Sequence, residues 1–304
     1  MRHHQPVLLH EVLDALRPQG DGVYFDCTLG RGGHATALLD RLGPGGRVIG
    51  LDRDPEAVAA GRRIAEADPR FVVRAASFSS LLREAGELAT VGEVDGVLFD
   101  LGVSSPQLEA PERGFSFLRD GPLDMRMDPG SGPSAAEWLN TASAAEIARV
   151  LRTCGEEPEA HRIARAIIRA RPLSTTRQLA ELVEKTLPRR ARDRHPATLT
   201  FQAIRIFLNR ELEELDAALP QALAVLRPGA RLAVISFHSL EDRRVKRFIR
   251  DQARGDPFPR DLPVPQTALH PRLRPVGDAV RPGAEEVADN PRARSAILRV
   301  AEKL

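Results

Sequence analysis

Only two cysteines, Cys27 and Cys154, stand in the 304 residues, far apart and without C-x-x-C spacing, so neither a disulfide framework nor a zinc pattern is present. Both read as buried thiols. No run of about 18 apolar residues occurs and no charged-then-apolar leader opens the chain, so neither a membrane span nor secretion is expected. The expected location is cytoplasmic. Lysine is scarce too: Lys185, Lys246 and Lys303 are the only three among 44 basic residues. His3, His4 and His10 lack the spacing of metal ligands, so no metal is expected. No internal repeat is found.

Against these absences, the charge is unevenly placed. The net charge is +2, but residues 161–210 hold twelve Arg or Lys against three acids, a local +9 that leaves −7 for the remainder. Overall arginine richness can follow from codon usage, but its concentration in one segment cannot. A surface that binds nucleic-acid phosphates accounts for it better than a solvated helical face.

The most informative stretch is Asp26-Cys27-Thr28-Leu29-Gly30-Arg31-Gly32-Gly33-His34, directly after the apolar Gly22-Val23-Tyr24-Phe25. A buried strand that stops at a glycine turn and restarts as a helix over 35–42 lets backbone approach a ligand, because glycine has no Cβ and tolerates positive φ. Eighteen residues past His34, the second apolar strand Arg47-Val48-Ile49-Gly50-Leu51-Asp52 ends in an acid, placed to accept ribose hydroxyls. The order Gly30-x-Gly32-Gly33 is not the G-x-G-x-x-G of a dinucleotide fold, and Asp26 would repel a pyrophosphate. An acid there can orient the turn or face the ammonium of an amino-acid cofactor, which favours S-adenosylmethionine over NAD.

Strand and helix alternate up to about residue 104: a helix over 7–16, strands at 22–26, 47–51, 71–73 and 96–100, and a helix opened by Asp54 and Pro55 in cap and first-turn positions. The pattern predicts an α/β fold with a parallel sheet, whose ligands bind at the strands' carboxyl ends, where Asp26, Asp52, Ser77-Phe78 and Asp100 fall. Residues 106–133 read as a long functional loop rich in Gly, Pro and charge. Helical patterns at 134–139, 144–152, 159–171 and 175–186 then form an inserted all-helical module. A long helix over 201–226, a strand over 231–236 after the Pro228-Gly229 turn, an irregular Pro-rich tail over 251–290 and a closing strand over 296–300 complete the chain. The predicted domains are 1–103, the insert 104–209, and 210–304.

Several motifs together resemble the bacterial RsmH (MraW) family: His4-Gln5-Pro6-Val7-Leu8-Leu9, the glycine turn through His34, Asp100-Leu101-Gly102-Val103-Ser104-Ser105-Pro106-Gln107-Leu108 and Arg113-Gly114-Phe115-Ser116-Phe117. Further along, Leu123-Asp124-Met125-Arg126-Met127, His195-Pro196-Ala197-Thr198, Ile235-Ser236-Phe237-His238-Ser239-Leu240-Glu241-Asp242-Arg243 and Asn290-Pro291-Arg292-Ala293-Arg294-Ser295 extend the likeness over nearly the whole chain. The resemblance implies a class I S-adenosylmethionine-dependent methyltransferase, Rossmann-like with a mostly parallel sheet, interrupted by a helical substrate-recognition domain. It implies methylation of a cytidine N4 amine in the decoding (P-site) region of 16S rRNA, with the small ribosomal subunit as partner. By motif, the implied cofactor contacts are Gly32, Gly33, His34, Asp52, Phe78, Asp100 and Gln107. Two departures lie in or beside the insert: Leu199 where the family has Arg, and Pro158-Glu159-Ala160-His161 within its Gly-Glu-Glu segment. They bear on RNA docking rather than on the cofactor.

A cytosine amine is a poor nucleophile because its lone pair is delocalised, so catalysis needs acceptors for its hydrogens as the methyl arrives in line. Asp100 is the first candidate and Ser105 the second, the latter within a partial match to the S-P-P-Y/F loop of base amino-methyltransferases. Asp100 serving as a cofactor ligand alone stays open. Phe115 or Phe117 can stack a base that has left its neighbours, or both can anchor the loop. Arg126, Arg189, Arg190, His195, His238, Arg292 and Arg294 are the further RNA candidates. Ser236, His238 and Ser239 form no hydrolytic triad, since no acid is assignable to the histidine. The rival readings are a DNA amino-methyltransferase and a non-catalytic RNA-binding assembly factor with a retained cofactor fold. An NAD oxidoreductase fits the glycines less well.

Overall fold

The structure is a computed structural model that describes residues 6–187, 195–256 and 269–304. The chain divides into two units, one of residues 1–102 with 212–304 and the other of residues 103–211.

The first unit is built on seven strands: β1 (Val23–Asp26), β2 (Arg47–Asp52), β3 (Phe71–Ala75), β4 (Val94–Asp100), β5 (Leu226–Ser236), β6 (Leu273–Pro275) and β7 (Ile297–Lys303), in the order β3-β2-β1-β4-β5-β7-β6. The first five are parallel, and β7 and β6 complete the sheet antiparallel. Helices α1 (Leu9–Leu16), α2 (Gly33–Leu39), α3 (Pro55–Ala67) and α4 (Leu81–Glu87) belong to the amino-terminal part of this unit. Along β4 successive residues face opposite sides, as the two-residue repeat of a strand requires. Val97 and Phe99 join a core with Phe25, Leu81, Leu232 and Val245, while Leu98 joins another with Val12, Tyr24, Leu38 and Leu298. Burial on both sides explains why these strands read as unbroken apolar runs. Asp54 caps α3 by accepting the Glu56 N–H at 2.9 Å, with Pro55 in the first turn, as its sequence predicts.

The second unit holds α5 (Ser105–Glu109), α6 (Ala135–Thr141), α7 (Ala144–Gly155), α8 (Ala160–Ala170), α9 (Thr176–Thr186) and α10 (Thr198–Leu208). Its core joins Leu139, Ile147, Leu151, Ile163, Leu179 and Ile204. Ser134, Ser143 and Thr175 each accept the backbone N–H three residues on and start α6, α7 and α9.

Four expectations are corrected. The helix expected over 201–226 is two, α10 and α11 (Glu211–Val225), because Arg210 takes φ 51° and breaks the ladder. Asn209 caps α10 and fastens the 124–128 stretch, donating to the Met125 carbonyl at 2.8 Å and accepting the Met127 N–H at 2.7 Å. Pro228-Gly229 is not a turn before β5 but lies inside it: Gly229 has φ 80°, and the pairing slips between Val94 and Gly96. The long loop contains α5, and the tail contains β6 and α13 (Ala284–Asp289), while α12 (Ser239–Arg254) runs into its start.

Candidate functional site

Three adjacent strands, β2, β1 and β4, end in Asp52, Asp26 and Asp100. Parallel strands end at one edge, so their registers bring three carboxylates to one side of the sheet. Each is held differently. Asp52 accepts the Gly30 N–H at 2.9 Å on one oxygen and the Asp54 N–H at 2.9 Å on the other, so the glycine turn and the start of α3 both hang on it. Each oxygen keeps a second lone pair, the valence a pair of vicinal hydroxyls needs. Burial raises its pKa above the ordinary carboxylate value, against the two N–H groups that lower it. Asp26 is buried and accepts the Thr28 N–H at 3.2 Å, and burial pushes its pKa up to about 6.

Asp100 is partly exposed, with its Oδ2 3.6 Å from Nε2 of buried His34, within ion-pair reach but too long for a hydrogen bond. Among the described residues, Asp100 Oδ1 and both ring nitrogens of His34 have no hydrogen-bond partner. Burial opposes charge on His34, but Asp100 and Asp26 outweigh it and raise the imidazole pKa. The Thr28 hydroxyl accepts the Asp100 N–H at 2.6 Å and ties β1's end to β4's. Thr28 was missed in the sequence, although it lies inside the glycine motif. So was Ser236, buried at the end of β5 with its hydroxyl unpartnered among the described residues.

The glycines are also required by the packing of the turn. At Gly32, where φ is 78°, a Cβ would run into Ile64, and at Gly33 it would run into Pro6. Close neighbours, and at Gly32 the positive φ, thus favour glycine at these two places. Phe78 sits half-buried in the 3-10 turn Phe78–Ser80, edge-on to Phe99 with centroids 5.7 Å apart. Helix α11 fixes that turn: Glu214 accepts the Ser77 hydroxyl, and Gln221 bridges the Ser79 carbonyl at 2.6 Å and the Leu82 N–H at 2.9 Å. Those partners are 137 to 142 residues away in sequence, which hid them.

Within the second unit, several candidates have other work. Gln107 is buried and accepts the Ser104 N–H at 2.8 Å in a capping box that starts α5, with Ser105 as the first helical residue. Phe115 is 6% exposed in the helical core with the Arg113 guanidinium 5.8 Å above its ring, so a base cannot stack there. Arg126 grips Asp124 with two bonds, of 2.9 and 2.7 Å, and donates to the Gly132 carbonyl at 3.0 Å, so its donors are already directed inward. Phe117 is half-buried, stacked on His195 at 4.5 Å and edge-on to Phe201 at 5.0 Å; His195 itself is exposed. Arg189 and Arg190 lie outside the described residues.

In the first unit His238 is the N-cap of α12: its Nδ1 accepts the Glu241 N–H at 3.4 Å, while Glu241 accepts the Phe237 N–H at 2.8 Å. Its Nδ1 is thus already engaged within the fold. Arg292 and Arg294 are exposed on the turn Pro291–Ser295 before β7.

The family description "MraW methylase family" matches residues 1–304. The chain belongs to that family. As an MraW methylase it is an enzyme, and its chemistry is methyl transfer. It is 60% identical over 304 residues to the ribosomal RNA small subunit methyltransferase H of Nitrosococcus oceani, covering 99% of this chain and 96% of that one. To the protein of the same name from Thioalkalivibrio sulfidiphilus it is 58% identical over 305 residues, covering 99% and 97%. A solved rRNA methylase from Streptococcus thermophilus aligns over 100% of this chain and 99% of its own at 11% identity, with a TM-score of 0.46. No helix among the described residues of this MraW methylase is long and apolar enough to cross a membrane.

Proposed function

We propose that this MraW methylase moves a methyl group from S-adenosylmethionine to the N4 amine of a cytidine in the decoding (P-site) region of 16S rRNA, in or near the assembled small subunit. The observation that carries the reading is the row of acids at the ends of β2, β1 and β4, where Asp52 keeps acceptor capacity on both oxygens and Asp100 keeps an unpartnered buried one among the described residues. S-adenosylmethionine, when bound, supplies a methyl group activated by a positive sulfur. Asp52 would accept the ribose hydroxyls, and Phe78 would stand beside the adenine. Asp26 and Asp100 set negative charge near the cationic end of the donor.

Asp100 Oδ1 accepts a hydrogen of the target amine, which localises the nitrogen lone pair and takes up the positive charge that develops there. His34, 3.6 Å from the other oxygen, keeps that carboxylate turned into place. Methyl transfer of this kind needs no covalent enzyme intermediate. Close similarity to two proteins named for the small-subunit RNA supports the substrate class, and the basic segment at 161–210 supports a nucleic acid as partner.

Mass-spectrometric mapping of modified nucleosides in rRNA, from cells with and without the protein, tests this. A methylated cytidine in the small-subunit RNA that disappears with the protein is expected. Loss of a methylated base from DNA, with rRNA unchanged, would favour the DNA amino-methyltransferase instead.

A further inference from the structure

Within the second unit, the loop after α5 presents one leucine outward. Leu118 is 85% exposed, whereas the other exposed large apolar side chains among the described residues range from 37% to 49%. Chain disorder does not explain it, because the loop is tied on both sides. On the incoming side, buried Arg113 donates to the Arg126 carbonyl at 3.2 Å and to the Met127 carbonyl at 2.9 Å. On the outgoing side the start of α9 clamps the chain: Thr176 N–H donates to the Gly121 carbonyl at 2.9 Å, the Gly121 N–H donates to the Thr176 hydroxyl at 3.1 Å, and that hydroxyl donates to the Arg119 carbonyl at 3.3 Å. Between the two, Phe115 is sunk in the core and Phe117 is packed between His195 and Phe201. The Ser116 hydroxyl accepts the Leu118 N–H at 3.2 Å and fixes the tip itself.

A single exposed leucine is ordinary on a protein surface, but this one is held in a fixed frame next to Phe117, whose ring is stacked on the exposed His195. A protein or lipid partner would call for a contiguous apolar patch. Here the neighbours in sequence are Ser116, Arg119 and Asp120, and Asp120 is already occupied, accepting the Arg177 N–H at 3.0 Å and lying 3.9 Å from its guanidinium. A lone apolar wedge beside an exposed imidazole stacked on a phenyl ring, within a unit that carries the arginine-rich segment, fits an RNA strand. Bases reach a modifying enzyme only after leaving the stack, and apolar side chains inserted between base steps are a recurrent way to hold the gap open.

We propose that Leu118 inserts between bases of the RNA substrate, with the Phe117–His195 pair as the platform behind it. The wedge rests on the RNA-methylation reading above, and it makes Leu118 a positioning residue for the substrate, with no contact to the donor.

Single-turnover transfer of radiolabelled methyl from S-adenosylmethionine to purified unmethylated small ribosomal subunits tests it, with wild type, Leu118→Ser and Leu118→Met compared over a range of subunit concentrations. Leu118→Ser should lower the rate at saturating subunit about tenfold or more, and Leu118→Met should restore most of it. Donor affinity and melting temperature should match wild type for both, since the side chain is in solvent. Leu118→Ser acting at the wild-type rate and half-saturation would overturn the wedge while leaving the methylation reading intact. A wild type that methylates no small-subunit RNA would overturn that reading, and the wedge with it. A variant that loses self-association or vesicle binding with methylation unchanged would assign the tip to a protein or membrane partner and also overturn the wedge.

Discussion

In the sheet unit, Asp26, Asp52 and Asp100 are set apart on separate strands, and the groups that hold them are mostly backbone N–H donors. In the helical unit, Asp124 lies two residues from Arg126 and Gln107 three from Ser104, and each pair satisfies itself. The contrast has a geometric cause. The strand-end carboxylates take backbone N–H groups, from Thr28 for Asp26 and from Gly30 and Asp54 for Asp52, and among the described residues keep lone pairs without a partner. A polar residue in a loop or first helical turn finds one within three or four residues. Acids at strand ends are therefore left for a ligand, while charged residues in a compact helical module are largely used by the module itself.

Phe115→Ala breaks the comparison most severely if it is mistaken. As a core side chain its loss should cost about 3 kcal/mol of stability, read as a lower denaturation midpoint, with affinity for small subunits unchanged where the variant remains folded. A large loss of RNA affinity at intact stability would return Phe115 to the substrate surface.

Asp26→Asn probes the sheet unit. With a folded pKa of about 6, above the ordinary value of 3.8, native Asp26 holds a proton between those values that the unfolded chain has lost. Stability contributed by that proton is present at low pH and is lost as pH rises through about 4 to 6, so ionised Asp26 is a burden above that range. The asparagine variant should be more stable at pH 8 by up to about 3 kcal/mol and should lose this advantage near pH 4. Thermal melts at both pH values decide it, and an unchanged difference between them would contradict the assigned shift.

Arg126→Gln should cost about 1 kcal/mol of stability through the lost Asp124 bonds and leave the salt dependence of subunit binding unchanged. Changing Arg189, Arg190, Arg192 and Arg194 together to Gln should instead flatten the slope of log K against log salt by up to about three units. Equal slopes for the two variants would contradict a phosphate-binding role for these four arginines.

Sequence made the sheet legible because its cues are local: apolar runs, an acid at the ends of β1, β2 and β4, and Asp54-Pro55 at a helix start. The acids at the carboxyl end were legible for the same reason, with Asp52, Asp26 and Asp100 ending the neighbouring strands β2, β1 and β4. What escaped was long-range or short-range in a way that pattern reading does not see. The clamp of Glu214 and Gln221 on the Phe78 turn joins distant segments, and β6 is a three-residue strand next to a Pro-rich tail. The capping role of His238 was visible in principle, since Glu241 follows three residues on, the spacing of a capping box. The self-pairing of Asp124 with Arg126 was equally visible in the two-residue spacing.

Asp52 is where the cofactor assignment is tested most directly, by calorimetric titration of S-adenosylmethionine into wild type and Asp52→Asn. The amide keeps the shape but has one acceptor oxygen, so either the Gly30 or the Asp54 N–H loses its partner and one ribose hydroxyl does too. Affinity should fall ten- to a hundredfold, about 1.4 to 2.7 kcal/mol, with the fold intact by circular dichroism. Equal affinity of the two proteins, or tight binding of NAD by the wild type, would contradict a methyl-donor site built on the strand-end acids.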